Sequence, residues 1–147
     1  MACFLFSLNL FVWHLPVFYE AALNNRFLHN MEHLAFLVMS LIMWWPLVSP
    51  LKDKRTSYPI QLLYLLALVL GQLPVFLYVT FSQEVLYPTY RLAERITDIS
   101  PLVDQQLGGV IMKLVGMTFS SVSFLLIFLR WAKKEDTEME LAQAQRS

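Results

Sequence analysis

Long uncharged apolar runs constrain this chain more than any other feature. No charged side chain occurs from Met1 to Tyr19, from Leu34 to Leu51, or from Thr56 to Gln83, and beyond Asp104 only Lys113 interrupts the stretch to Leu129. An apolar run of about 18 residues is long enough to cross a bilayer as a helix. The pattern therefore predicts an all-α, polytopic membrane helix bundle of about four transmembrane helices, at roughly 2–19, 30–49, 58–82 and 105–130. Residues 1–131 form the bundle, and 132–147 form a polar tail that reads as a solvated helical extension or a frayed end. Only 15% of the 147 residues are charged, against roughly a quarter in a soluble domain.

Other classes are excluded on similar grounds. The first run lacks the basic n-region and small-residue cleavage site of a secretory signal, because Met1-Ala2-Cys3 carries no basic residue and Trp13-His14-Leu15-Pro16 is a poor cleavage context. It is expected to stay as a span. A formal net charge of zero offers no electrostatic reason to expect nucleic acid or an acidic partner. Cys3 is the only cysteine, so the chain has no internal disulfide and no paired-thiol metal site.

Proline, glycine and charge mark the boundaries. Pro16 ends or bends the first span, Trp44-Trp45-Pro46 closes the second, and Gly71-Gln72-Leu73-Pro74 predicts a kink within the third. Asp104 suits the start of the fourth, where its charge meets the positive end of the helix dipole. Lys52, Lys54 and Arg55 in one loop share a side with Arg130, Lys133 and Lys134 after the last span. The positive-inside rule then puts both termini in the cytoplasm and the 20–28 and 83–103 loops outside. His14, His29, Glu32, His33 and Asp104 all fall near the outer helix ends.

The segment His29-Asn30-Met31-Glu32-His33 spaces two imidazoles one turn apart, a separation at which two nitrogen donors can share an ion. At 100° per residue His33 sits about 40° and Glu32 about 60° to either side of His29, with Phe36 continuing the face, which is expected to point into the bundle. The same residues also serve as plain helix-end polarity facing headgroups and water. His-x-x-Glu-His resembles the reversed motif of inverted zinc proteases over five residues only, and no substrate-binding strand accompanies it. Joined by His14, the pair makes a three-histidine set suited to copper, while haem ligation by His14 and one partner has no support from spacing. Gln106, Gly109, Lys113, Gly116 and Ser120 form one small-residue stripe for close helix packing. Lys113 lies two turns inside it and is expected to pair with a carboxylate, ahead of binding an anionic headgroup or snorkelling outward.

Trp13-His14-Leu15-Pro16 with Tyr19 and Ala22, His29-x-x-Glu32-His33-x-x-Phe36, Trp44-Trp45-Pro46, Tyr87-Pro88-x-Tyr90, and Asp104-Gln105-Gln106-Leu107-Gly108-Gly109 leading to Ile111-Met112 together resemble the CtaG family of membrane proteins. That family is required for assembly of caa(3)-type cytochrome c oxidase. The resemblance implies a multi-pass protein of the plasma membrane, without enzymatic activity, that delivers copper to the oxidase or matures its metal centre. Oxidase subunits and the lipid bilayer are the implied partners. Family members usually have more spans, with another histidine-rich helix in an N-terminal half. The match is to the C-terminal part only, so a missing half or a second copy is a further implied partner, and Lys113 stands where many members have tryptophan. The resulting expectation is a copper site of His14, His29 and His33, with Glu32 and Asp104 orienting the imidazoles. The alternative is a metal-free scaffold that binds oxidase subunits.

Overall fold

A computed structural model describes residues 1–49, 56–94 and 98–146, so Lys52, Lys54, Arg55 and Arg95 lie outside the described residues. Seven helices follow in order: α1 (Ala2–His14), α2 (Pro16–Asn24), α3 (Arg26–Val48), α4 (Tyr58–Gly71), α5 (Leu73–Thr80), α6 (Pro88–Leu92) and α7 (Pro101–Ala144), with no strand among the described residues. Three units are long and apolar enough to cross a membrane: α3, α4 with α5, and α7. A fourth is added if α1 and α2, bent by 69° at Leu15, count as one broken span. The bundle is all-α and polytopic.

Local chemistry explains where each helix stops. Pro16 and Pro74 each begin a helix after a break, as suits a residue without an N–H. The third span breaks at Gly71–Gln72, where the sequence placed a kink. The Asn25 side chain accepts from the Phe27 and Leu28 amides, so α3 starts at Arg26, before the predicted residue 30. Likewise Ser100, not Asp104, caps the last helix by accepting from the Val103 amide, and Asp104 falls in its first turn. That helix runs unbroken through residues 131–132 to Ala144, about 66 Å of rise. Its final turns therefore extend well past a hydrocarbon layer about 30 Å thick.

At one end Leu47, Leu65 and Ile127 form a core, joined by Trp44, Tyr58 and Tyr64. Over their whole lengths α3 packs chiefly on α1 and α2, α7 packs on α4 and α5, and α1 also packs on α4 and α5. Most large apolar side chains face outward, including Leu63, Leu66 and Phe119, which is the expected surface for contact with lipid tails.

Backbone groups released by the breaks find side-chain donors. Lys113 is 8% exposed and its Nζ donates to the Val69 carbonyl at 2.9 Å, one of the last four of α4 that lack an intrahelical partner. The expected carboxylate partner is thus replaced by backbone: the negative end of the α4 dipole attracts the ammonium, and a broken helix exposes that end inside the membrane. Within the unbroken α3, Tyr64 Oη adds a bond to the Met43 carbonyl at 2.7 Å and so ties α4 to α3. The small-residue stripe of α7 faces α5: a Cβ on Gly109 would collide with Thr80 Oγ1, whereas one on Gly108 would meet nothing.

Lys113→Met should lower stability in a detergent unfolding titration by about 1–3 kcal/mol, the cost of an unsatisfied buried carbonyl. Gly109→Ala should destabilise in the same assay, while Gly108→Ala should be neutral or stabilising by up to about 1 kcal/mol.

Candidate functional site

The break at Pro16 organises one end of the bundle. The amide of Phe18, which in an unbroken helix would bond the His14 carbonyl, bonds Leu15 instead at 3.0 Å. Tyr87 Oη donates to the His14 carbonyl at 2.9 Å. His14 Nδ1 donates to the Leu10 carbonyl at 2.8 Å, leaving Nε2 as the ring's remaining polar atom. In the neutral ring that nitrogen is an acceptor.

Bending at Leu15 turns α2 across the bundle end and brings Tyr19 onto Tyr87, with ring centroids 4.2 Å apart. Tyr19 and Tyr90 hydroxyls are hydrogen-bonded at 2.8 Å. Glu20 accepts from the amide and hydroxyl of Thr89, which fastens α6 to α2. The connection before α6 is held from α7: Gln105 Oε1 accepts from the Leu86 amide at 2.7 Å, and Gln106 Nε2 donates to the Ser82 carbonyl at 3.0 Å. Burial pushes the Tyr87 phenol pKa up, so the hydroxyl stays protonated as a donor.

These contacts frame a half-open cavity of about 250 Å³ lined by His14, Tyr19, Tyr87, Tyr90, Asp104 and Met112, with Gly108 and Gly109 at its wall. His14 and Asp104, from the first and last helices, thus share one chamber. In the sequence, Tyr87, Tyr90 and Gln105 stand out only within the family resemblance, with no role of their own. The available signal was polar-tipped aromatics beside Pro16 and Pro88, where a broken backbone needs donors.

His29 and His33 stand elsewhere. Their Nε2 atoms are 3.1 Å apart and their rings meet edge to face with centroids 4.6 Å apart. Glu32 Oε2 is 3.9 Å from His29 Nδ1. Both imidazoles are exposed, whereas the Glu32 side chain is only 17% exposed and lies within electrostatic reach of His14 and Tyr19. The face of α3 turned toward α1 and α2 is centred on Glu32 and Ala35, so the histidines point away from the bundle rather than into it. Neither lines the His14–Asp104 cavity, because α3 lies beyond α1 from α7. No group of three His, Cys, Asp or Glu side chains placed to hold an ion occurs among the described residues.

A family model described as cytochrome c oxidase caa3 assembly factor (Caa3_CtaG) matches residues 1–134. The chain belongs to this family. The match takes in the tyrosine-lined cavity, the histidine pair and the Lys113 contact, so every feature above lies within the family's extent. No curated protein and no solved structure matches the chain.

Tyr87→Phe should lower stability by about 1–3 kcal/mol by leaving the His14 carbonyl without its donor. Because folding raises the Tyr87 pKa, its contribution is fully present below the ordinary phenol pKa of about 10 and declines as pH rises beyond it. Unfolding titrations from pH 7 to 11 should show this decline in wild type, and Tyr87→Phe should lack that component.

Proposed function

We propose that this membrane assembly factor assists copper delivery to cytochrome c oxidase, with His29 and His33 as the entry ligands. The reading rests on the 3.1 Å separation of the two Nε2 atoms. Two imidazoles on one tetrahedral ion, with bonds of about 2.0–2.1 Å, lie about 3.3 Å apart, so the pair fits a shared ion with little adjustment. Imidazole donors suit copper, and a bound cuprous ion would supply the metal that the oxidase centre needs.

The pair supplies two donors and leaves the remaining positions open to a client. An exposed, incompletely liganded site suits transfer better than storage, because an incoming ligand from an oxidase subunit can add before the imidazoles leave. Glu32 stands 3.9 Å from His29 on the buried side, and His14 with Asp104 forms a second polar station in a separate cavity. We assign this end of the bundle to the outer face of the plasma membrane, with both termini cytoplasmic, following the distribution of lysine and arginine. Donors that complete the coordination come from an oxidase subunit, a further family segment or a second copy. The protein acts by binding and handing over, without catalysing a reaction.

Cuprous ion titration of the purified chain tests the assignment. Wild type should bind one equivalent, His29→Ala and His33→Ala should each lose it, and His14→Ala should retain it. Equal stoichiometry in wild type and both pair variants would remove His29 and His33 as ligands and favour a metal-free scaffold for oxidase subunits.

A further inference from the structure

The opposite end of the bundle carries a built cleft that the proposed function does not use. Tyr58 at the start of α4 and Arg130 and Lys134 on α7 line an opening of about 570 Å³, with Gln61 at its wall. Lys133 joins the same side chains on its rim. Two carboxylates are also present. Glu135 accepts from Trp131 Nε1 at 3.0 Å, and Glu138 lies 3.5 Å from Lys134. The Lys134–Glu138 pair is well exposed on both sides, so solvent screens it and leaves the ammonium able to serve another anion.

An apolar groove of about 710 Å³ continues from this cleft between α4 and α7, sharing Pro59 and Trp131 with it. Leu62, Leu66 and Phe124 line its length, and it ends at Val69 and Ser120. Ten or eleven helical residues span about 15–17 Å, which is half of a hydrocarbon layer about 30 Å thick. The groove is therefore one leaflet deep. A cationic mouth, aromatic residues at the interface and an apolar channel of leaflet depth share one axis.

We infer that this cleft and groove form a specific site for an anionic diacyl phospholipid, with its phosphate against Arg130 and Lys134 and an acyl chain between α4 and α7. Three cations against two carboxylates around the mouth disfavour a zwitterionic headgroup, whose ammonium would face Arg130 and Lys134. The site is independent of the copper assignment, since it lies at the other end of the bundle and shares no residue with it.

Native mass spectrometry of the full chain, released from detergent after exchange with defined lipids, tests this. Wild type should retain one phosphatidylglycerol in preference to phosphatidylcholine of the same acyl chains. R130Q/K134Q should reduce phosphatidylglycerol retention about thirtyfold and abolish the preference. Ser121→Trp, which fills the groove from an exposed position, should reduce retention of both lipids, with helicity checked by circular dichroism. Equal retention of the two lipids by wild type, or unchanged retention in R130Q/K134Q, would overturn the proposal. Displacement of the lipid by millimolar glycerol phosphate would also overturn it, by assigning the cleft to soluble phosphates.

Discussion

Inside a bilayer a carbonyl without a donor has no water to fall back on, so a proline that breaks a membrane helix creates a demand that another part of the chain must meet. Two such demands arise here, at the breaks after His14 and Gly71, and each is met from a distance. Tyr87 reaches the His14 carbonyl and Lys113 reaches that of Val69, while Tyr64 adds a bond to the Met43 carbonyl within the unbroken α3. These bonds tie α1 to the connection before α6, α7 to α4, and α4 to α3. They link helices that otherwise present mostly apolar surfaces to one another, surfaces that lipid would cover almost equally well. The breaks thus supply both the irregularity and the directional contacts that register the bundle.

The same demand shapes the end of the bundle that carries the histidines. Because α1 stops at His14 and the chain turns through 69°, Tyr19 and Glu20 come over the connection that carries Tyr87 and Thr89, and Gln105 and Gln106 hold that connection from below. A chamber containing His14 and Asp104 results. The His29–His33 pair remains on the outer surface of α3, separated from the chamber, with Glu32 on the same helix turned toward the bundle. With an exposed histidine pair and a half-open chamber at one end, and a cationic cleft at the other, the bundle has two chemically distinct ends.

Much of the fold was legible in the sequence. Uncharged runs located the spans, and Pro16 and the Gly71–Pro74 segment located the breaks. The small-residue stripe through Gly109 and Gly116 marked the side of α7 that meets α5. Errors fell at the helix starts, where Asn25 and Ser100 cap earlier than the apolar pattern begins. They fell also at Lys113, since a charge inside a membrane suggests a counter-charge, and a helix end supplying a carbonyl and a dipole serves as well. For the site, the 3.1 Å approach of His29 and His33 follows from i, i+4 spacing, but the rotation of α3 does not. In a soluble helix polarity reports which side faces solvent. In a membrane helix both lipid and interior are apolar, so periodicity identifies a face without saying which way it points.

By itself, then, the sequence determined that this chain is an all-α membrane protein, where its helices break, and that two imidazoles lie on one turn. Those properties depend on local chemistry: run length, a missing proline N–H, and helical pitch. Only the tertiary structure decided that α1 lies between α3 and α7, which parts His29 and His33 from the chamber of His14 and Asp104. It alone decided that Tyr87 and Lys113 answer distant carbonyls. Both outcomes depend on which helix neighbours which, and apolar surfaces of similar composition carry too little directional information along the chain to specify that.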